Sequence, residues 1–335
     1  MTQTSLSLKT LHTFGAEAFG REIHFIRSED DLQSFFGLDP ASFYILGGGS
    51  NILPVQTIDR VILRNEIRGK EIIHEDEESV TVRIAGGEDW DEFVQWALDQ
   101  SWSGMENLSL IPGTVGAAPV QNIGAYGVEL KEIFVRLEGV LLTEGKAMVL
   151  NKEACRFGYR DSVFKQELSG KFFITRVHLR LNKKFNPQLS YGNIAERLKE
   201  KNIIHPDAHA VSGVVREIRR SKLPDVGVLG SAGSFFKNPV VDVDTYERIR
   251  VLTPEVPHYP AKEGYVKIPA GWLIEQCGWK GRRIGAVGCY EKQALVIVNY
   301  GDASGSEILA FAGMIIEDVK SKFGITLTPE VNVWR

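Results

Sequence analysis

Apolar residues recur at helical spacing in three segments of the chain. Residues 89–100, 207–220 and 304–323 carry apolar side chains every three or four positions, which predicts amphipathic helices. The third has the clearest ends, because Ser304 and Glu307 form a capping box and Gly324 follows the last turn. The side chains expected on the buried faces are Phe93, Val94, Ala97 and Leu98; Val211, Val214, Val215 and Ile218; and Ile308, Ala312, Ile315, Ile316, Val319 and Phe323.

Other segments show the alternation, or the short apolar run, that is typical of strands. They are residues 43–46, 80–85, 172–181 and 325–334. Because helices and strands do not alternate regularly, the pattern predicts an α+β protein and not a chain of βαβ units. The polar stretch at 182–187 ends in proline, which predicts a domain boundary near this point.

Composition excludes several classes of function. The 335 residues suffice for two or three domains, and the net charge of −4 argues against a nucleic-acid-binding surface. The cysteines Cys155, Cys277 and Cys289 are far apart, which favours a reducing, cytoplasmic compartment. The first 13 residues lack the features of a signal peptide, and no apolar run reaches the ~18 residues of a membrane span. The seven histidines show no metal-ligand spacing, so we expect no metal site.

Two glycine-rich segments are the first candidates for chemistry. Gly47–Gly48–Gly49 follows the predicted strand at 43–46, and such a turn is either a plain tight turn or a cradle for phosphate groups. It lacks the third glycine of the dinucleotide fingerprint and the Gly-Lys-Ser/Thr of a P-loop. Residues 110–127 are small, smooth and almost uncharged. They suit either a large flat ligand, with Thr114, Gln121 and Asn122 as hydrogen-bonding groups, or a buried structural loop.

Six short motifs occur in a fixed order over most of the chain. They are IPGTVGAAPVQNIGAYG at 111–127, GYRDS at 158–162, KLPD at 222–225, GSFFKNP at 233–239, PAGWLIEQCG at 269–278 and PEV at 329–331. Together they resemble the signature segments of the UDP-N-acetylenolpyruvoylglucosamine reductase family, flavoenzymes of bacterial peptidoglycan synthesis. The resemblance extends from about Gly47 to Val331.

The resemblance implies a flavin fold of the vanillyl-alcohol-oxidase type, also called PCMH-type. Residues 1–185 would bind FAD in two subdomains, 1–65 and 66–185, and residues 186–325 would form a smaller α+β substrate-binding domain. Residues 326–335 would return to the active site as a final strand. The family carries hydride from NADPH through FAD to an enolpyruvyl sugar nucleotide, which becomes UDP-N-acetylmuramate. We expect non-covalent FAD, because neither glycine-rich segment contains histidine or cysteine. We also expect a monomer.

The resemblance also assigns roles to residues in the glycine-rich segments. We expect the cofactor to contact Gly47, Gly48, Gly49, Ser50, Asn51, Ile111, Pro112, Gly113, Thr114, Gly116, Ala117, Gln121, Asn122, Ile123, Gly124, Ala125, Tyr126 and Gly127. The substrate-binding residues would be Tyr159, Tyr191, Lys222, Asn238, Tyr259, Lys280 and Gln293. Tyr191 matches the tyrosine-bearing loop that closes over the substrate in one subclass of the family. Lysine suits a diphosphate as a mobile point charge.

Three residues would carry the reaction. Arg160 offers a planar charged fork that matches the substrate carboxylate, although an Arg-Asp neighbour pair is more often a surface ion pair. Ser234 would protonate the enolate, which is basic enough to take a hydroxyl proton; otherwise it is a serine in a turn. Glu330 would hydrogen-bond the developing enolate as a neutral acid; otherwise it is an exposed glutamate at a strand end. The resemblance suggests arginine two residues after Glu330, where this chain has Asn332.

Two other functions remain open at this level. An oxidase or dehydrogenase on the same flavin fold would act on an alcohol or a hydroxy acid, and GSFFKNP with Glu330 argues against it. A non-enzymatic protein that binds a flavin or a sugar nucleotide would not need Arg160, Ser234 and Glu330 together.

Overall fold

The computed structural model describes residues 6–335, so residues 1–5 at the start of the predicted first domain lie outside it. The strands are β1 (Leu6–Ser7), β2 (Phe19–Ile26), β3 (Phe43–Leu46), β4 (Ile52–Pro54), β5 (Ile58–Asn65), β6 (Lys70–Glu75), β7 (Ser79–Ala85), β8 (Gly124–Ala125), β9 (Val128–Glu129), β10 (Phe134–Leu141), β11 (Lys146–Asn151), β12 (Phe172–Asn182), β13 (Gly230–Ser234), β14 (Val240–Asp242), β15 (Tyr259–Pro260), β16 (Tyr265–Lys267), β17 (Arg283–Ile284), β18 (Val287–Cys289), β19 (Val296–Asn299) and β20 (Asn332–Trp334).

The α-helices are α1 (Trp90–Asp99), α2 (Leu130–Ile133), α3 (Lys152–Cys155), α4 (Ile194–Glu200), α5 (Ala208–Lys222), α6 (Val243–Leu252), α7 (Ala270–Gln276) and α8 (Gly305–Phe323). Short 3-10 helices cover Lys9–Leu11, Asp30–Phe35, Pro40–Ser42, Glu106–Leu108, Ala118–Gln121 and Val163–Lys165. The described residues therefore form an α+β protein, as predicted.

The first of two compact units contains residues 20–49 and 59–219. Strands β2, β5 and β3 form one sheet in that order, with β3 and β5 parallel. A second, antiparallel sheet has the order β11-β10-β12-β7-β6. Helix α1 contributes the predicted face of Phe93, Val94, Ala97 and Leu98 to a large core with the second sheet. A smaller cluster unites apolar residues of both sheets.

The second unit contains residues 6–19, 50–58 and 220–335. Its main sheet has the order β13-β19-β18-β17, and β14, β16 and β15 form a second one. Helix α8 begins with the predicted capping box and ends at Gly324, whose φ of 70° is left-handed. The face predicted for α8 lies in the core, where Phe311 also contacts Trp279 edge to face.

The predicted strand at 325–334 is shorter in the structure. Only Asn332–Trp334 forms β20, which pairs in parallel with β4. Pro329 has no N–H to donate to a ladder, so the residues before β20 make isolated bonds instead. One of them is the N–H of Lys237 to the carbonyl of Thr328, at 2.9 Å.

The division between the units differs from the predicted boundary at 185. The first unit continues to Arg219, because α4 and α5 form their own apolar cluster, against which Tyr126 and Leu189 also pack. The predicted subdomain 1–65 is divided as well. Phe14 and Leu53 belong to the core of the second unit, a long-range contact that no local pattern reveals.

Two searches of the side chains and helices concern the whole described range. Among residues 6–335, no helix has both the length and the apolar character that crossing a membrane requires. The same residues contain no cluster of three or more side chains able to hold a metal ion. The three cysteines are free of disulfides, and burial raises the pKa of Cys155 and Cys289 to about 12.

Candidate functional site

The glycine turn after β3 packs tightly against the long glycine-rich segment. A Cβ atom on Gly47 would lie 2.6 Å from Thr114 Oγ1, and one on Gly48 would lie 2.8 Å from the Cα of Gly113. Because the atom that faces Gly48 belongs to the backbone, that position requires glycine, whereas a side chain at position 47 would force the side chain of Thr114 to shift. Gly49 has φ of 67°, which glycine adopts without strain. The turn is therefore tight, and it also borders the segment that the sequence indicates for a flat ligand.

The start of α1 holds this glycine-rich segment in place. Trp90 is fully buried. Its indole Nε1 donates to the carbonyl of Leu108, and its backbone N–H donates to the carbonyl of Gly113; both distances are 3.0 Å. The N–H of Val115 donates to the carbonyl of Glu88 at 2.8 Å. Hydrogen bonds on both sides of Gly113 therefore fix the backbone that faces Gly48.

The residues Gly47, Gly48, Gly113, Thr114 and Ala117, here called the glycine cradle, fit a flavin nucleotide. They are small and uncharged, so a flat ring or a diphosphate can approach the backbone closely. The hydroxyl oxygen of Thr114 is buried, and no residue among 6–335 forms a hydrogen bond with it. Buried polar groups normally have a partner. A polar ligand group in the cradle would supply one.

Asn122 requires a correction. It is fully buried, and its Nδ2 donates to Glu129 Oε2 at 3.1 Å and to the carbonyl of Gly158 at 3.0 Å. Its Oδ1 accepts from the N–H of Lys131 at 3.1 Å. The amide that we expected to face a ligand thus faces the protein, and it anchors the GYRDS turn. Ile123 is similar, because its side chain lies in the core.

Arg160 lies in that turn with its guanidinium oriented by the glycine-rich segment. Its φ of 53° is left-handed, and the turn is closed by reciprocal backbone bonds between Gly158 and Asp161. Arg160 Nη2 donates to the carbonyl of Gly124 at 2.6 Å, and the guanidinium carbon lies 5.6 Å from the ring centroid of Tyr159. Arg160 is therefore not simply a surface partner of Asp161. A hydrogen bond and an aromatic ring fix the plane of its fork.

Tyr126 and the Tyr191 loop are held together by Asn107. This residue is almost fully buried, and its Nδ2 donates to the carbonyls of Tyr126 and Gln188, both at 2.9 Å. A Cβ on Gly127 would lie 3.1 Å from the Cβ of Tyr191, so the loop rests on the glycine-rich segment. Burial raises the pKa of Tyr126, which keeps its phenol neutral.

Ser234 ends β13 in the second unit, directly after an irregularity. The register of β13 against β19 shifts between Ser231 and Ser234, and Gly233 between them has φ of 68°. Such bulges redirect a side chain and are common beside active sites. Ser234 is exposed, whereas Phe235 and Phe236 after it are fully buried. The strand therefore presents the hydroxyl outward from a rigid base.

Glu330 lies in the segment that pairs with the continuation of β13. The N–H of Glu330 donates to the carbonyl of Phe235 at 2.8 Å, and the carbonyl of Glu330 accepts from Asn51 Nδ2 at 3.3 Å. The fold thus brings the backbone of Glu330 next to the residue that follows Ser234. Glu330 is half-buried, so it is not the freely exposed strand-end glutamate of the alternative interpretation.

Asn332, the departure from the expected arginine, has a defined partner. Its backbone N–H and its side-chain Nδ2 both donate to the carbonyl of Asn51, each at 3.0 Å. Asn51 is therefore bonded to Glu330 on one side and to Asn332 on the other. In this chain position 332 stabilises the end of the glycine turn.

The other substrate-binding candidates lie at several places in the second unit. Lys222 is exposed at the end of α5, and Tyr259 is exposed on β15. Asn238 Oδ1 accepts from the N–H of Ala270 at 2.9 Å, which leaves its Nδ2 as the donor for a ligand. Lys280 pairs with Glu275 at 2.8 Å. Gln293 is half-buried, and a Cβ on Gly271 would lie 3.1 Å from its Oε1.

Two family models cover different parts of the chain. An FAD binding domain matches residues 25–151, and the C-terminal domain of UDP-N-acetylenolpyruvoylglucosamine reductase matches residues 224–334. The reductase of Pseudomonas aeruginosa is 47% identical over 335 residues, which cover 99% of this chain and 98% of that protein. This chain belongs to the UDP-N-acetylenolpyruvoylglucosamine reductase family. The reductase of Azoarcus sp. is 46% identical and matches 98% of the chain.

A solved reductase of the family has the same fold. The enzyme of Thermus caldophilus superimposes with a TM-score of 0.68 at 23% identity, and the match covers 98% of both chains. The family resemblance and the flavin fold inferred from the six motifs are therefore confirmed. The roles of individual residues stay predictions, although the side-chain amide of Asn122 is already bonded within the protein.

Several residues that support the candidate site have no recognisable signal in the sequence motifs. Asn107 lies just before the glycine-rich segment, and Asp91, Arg216 and Arg219 lie on helices without any motif. For the three charged residues, the sequence signal is a charged side chain on a helix that has a strongly apolar face. Burial lowers the pKa of Arg219, and the negative charge of Asp91 opposes this shift.

Proposed function

We propose that the chain reduces UDP-N-acetylglucosamine enolpyruvate to UDP-N-acetylmuramate with NADPH, through bound FAD, in peptidoglycan precursor synthesis. The observation that carries this proposal is the near full-length 47% identity to a reductase of that name, together with the FAD binding domain at 25–151. When bound, FAD accepts hydride from NADPH and passes it to the substrate's vinyl carbon. The protein residues bind, orient and move protons around that chemistry.

The cofactor lies, in this proposal, on the glycine cradle and on neighbouring residues of both glycine-rich segments. The Thr114 hydroxyl gains the partner that it lacks within the described residues. Neither segment contains histidine or cysteine, so the cofactor is held without a covalent bond. Denaturation by acid or heat then releases all of the yellow colour into solution.

Arg160 binds the substrate carboxylate in this proposal. Its bond to the carbonyl of Gly124 and its contact with Tyr159 support the role, because they fix the guanidinium before any substrate arrives. A fork oriented in advance loses less entropy when it pairs with a carboxylate. The charge on that carboxylate grows as the enolate forms, so Arg160 also stabilises the transition state.

Ser234 and Glu330 act on the enolate. The Oγ of Ser234 donates its proton to the carbanionic carbon, which completes the lactyl ether. Glu330 supports the developing negative charge by a hydrogen bond. The bulge before Ser234 and the backbone bond from Glu330 to Phe235 support these roles, because they hold both side chains on one rigid base.

Tyr191, Lys222, Asn238, Tyr259, Lys280 and Gln293 bind the sugar nucleotide in the same proposal, with Tyr191 on a loop that closes over it. The Tyr191 loop rests on the segment around Gly127, which supports that assignment. The free cysteines support a reducing compartment, so we place the reaction in the cytoplasm. The functional unit is a monomer, which light scattering at micromolar concentration tests directly.

Lys222→Ala should mainly weaken binding of the sugar nucleotide. Lys222 is exposed at the end of α5, and loss of a charge-assisted bond costs about 1.5–3 kcal/mol of binding free energy. Calorimetric titration of the oxidised enzyme measures this. Lys320→Ala, which removes an exposed lysine from the last turn of α8, is the control and should change nothing. An unchanged affinity in Lys222→Ala removes the residue from the site.

Gly48→Ala should weaken FAD binding by about tenfold or more, because overpacking costs roughly 1–3 kcal/mol. The neighbouring atom belongs to the backbone and cannot easily move away. The new Cβ would lie 2.8 Å from the Cα of Gly113. Fluorescence quenching of FAD by the apoprotein gives the affinity. Gly213→Ala is the matched control, because a Cβ there meets nothing within 4 Å. Wild-type affinity in Gly48→Ala would contradict the cradle.

A visible spectrum recorded during an anaerobic titration with NADPH tests the overall proposal. We expect a yellow protein that NADPH bleaches and the enolpyruvyl substrate recolours. Bleaching by an alcohol or hydroxy acid instead would indicate the oxidase or dehydrogenase. A yellow protein that none of these compounds bleaches would indicate a binding protein.

A further inference from the structure

Leu110, directly before the loop that contains Gly113, has a left-handed backbone. Its φ is 60°, a conformation that is strained for a bulky L-residue. Its peptide groups are held on both sides by charged side chains. The N–H donates to Asp91 Oδ1 at 2.5 Å, and the carbonyl accepts from Arg219 Nε at 3.2 Å.

Asp91 is itself fixed by a second arginine. Arg216 Nη1 contacts Asp91 Oδ1 at 2.7 Å and Oδ2 at 2.6 Å. The two side chains are only 20% and 21% exposed, so the pair is largely shielded from water. Asp91 lies in the first turn of α1 and Arg216 in α5. One carboxylate therefore joins two helices to a single strained peptide group.

The position of Leu110 makes its conformation important for the cofactor. Three residues later, Gly113 faces Gly48, and Thr114 carries the buried hydroxyl without a partner among the described residues. A relaxed backbone at 110 would redirect these residues. We infer that Asp91 is a positioning residue, which holds Leu110 left-handed and so keeps the glycine cradle in the shape that binds FAD. This inference rests on the proposed function.

A purely structural role for Asp91, the packing of α1 against α5, is the alternative. The chain offers a matched comparison, because Asp99 Oδ1 at the other end of α1 lies 3.7 Å from Nε2 of His209 on α5. That contact joins the same helices without touching Leu110. If Asp91 only joined helices, relief of the strain at 110 would not compensate for its loss.

The experiment measures FAD binding to the full-length apoprotein by fluorescence quenching. Asp91→Ala should raise the Kd about tenfold, the scale on which one left-handed non-glycine residue is disfavoured. Leu110→Gly alone should stay within about threefold of wild type, because glycine adopts this φ freely. In the double variant Asp91→Ala with Leu110→Gly, the Kd for FAD should return to within about threefold of the wild-type value. Asp99→Ala should bind FAD normally.

Two outcomes would overturn the inference. One is a normal Kd in Asp91→Ala; the other is a loss that Leu110→Gly does not restore. If Asp91→Ala does not fold, Asp91→Asn replaces it, because this substitution removes the charge that pairs with Arg216. The asparagine variant should also bind FAD more weakly than the wild type. Leu110→Gly should restore its affinity in the same way. Failure of the proposed function is distinguishable, because the wild-type apoprotein would then not bind FAD at all.

Discussion

Ser234→Ala should leave reduction of the bound flavin by NADPH near normal and slow its reoxidation by the substrate about 10²–10⁴-fold, the range for a lost general acid. In the proposed mechanism, the proton of Ser234 is needed only after hydride has reached the substrate. Alanine should not disturb the strand, because the serine side chain is exposed while β13 is held by backbone bonds to β19. Stopped-flow absorbance separates the two half-reactions.

Ser231→Ala is the matched control for this experiment. Ser231 lies on the same strand before the bulge, and its backbone N–H bond to the carbonyl of Thr13 does not depend on the side chain. Both half-reactions should be normal in this variant. If Ser234→Ala slowed both half-reactions equally, the hydroxyl would have a structural role and the assignment of the proton donor would be wrong.

The elements with strong local signals were predictable from the sequence. Helix α8 has its capping box and its glycine cap at the expected positions, and the apolar face of α5 lies where its periodicity placed it. In both helices the pattern that predicts the element is also the pattern that buries it. The last strand was predicted too long, because periodicity does not show that Pro329 breaks the ladder.

The boundaries of the two units could not be predicted, since they depend on contacts distant in sequence. The polar stretch at 182–187 suggests a boundary by composition, yet Arg216 forms an ion pair with Asp91, 125 residues away, and keeps α5 in the first unit. Similarly, Asn299 Nδ2 donates to the carbonyl of Phe14 at 3.1 Å and anchors the early segment to the second unit. Neither contact has a local signature.

The candidate site divides in the same way. The residues that would contact ligands lie in motifs, so the sequence alone could suggest Arg160, Ser234 and Glu330, whose roles stay predictions. Some of the residues that support the surrounding backbone do not lie in motifs. Asn107 reveals its role only through the two carbonyls that it joins, and Asn122 appears in a motif but serves the backbone.

Substitutions at Glu330 test the stabilisation of the enolate most directly. If Glu330 donates a hydrogen bond as a neutral acid, Glu330→Gln keeps a donor of similar size and should retain more substrate reduction than Glu330→Ala or Glu330→Asp. We expect the alanine variant to lose about 10²–10³-fold, as when one donor to an oxyanion is removed. Reduction by NADPH should be unaffected in all three.

The backbone around Glu330 makes these comparisons interpretable. Its N–H and carbonyl are held by Phe235 and Asn51 whatever side chain is present, so the variants should differ in chemistry and not in the path of the chain. Thr328→Ala is the control, since Thr328 is exposed and the N–H of Lys237 bonds to its backbone carbonyl, which the substitution leaves in place. Glutamine as poor as alanine would indicate a carboxylate base instead of a neutral donor. A normal rate in Glu330→Ala would exclude the residue from the reaction and favour the oxidase or the binding protein.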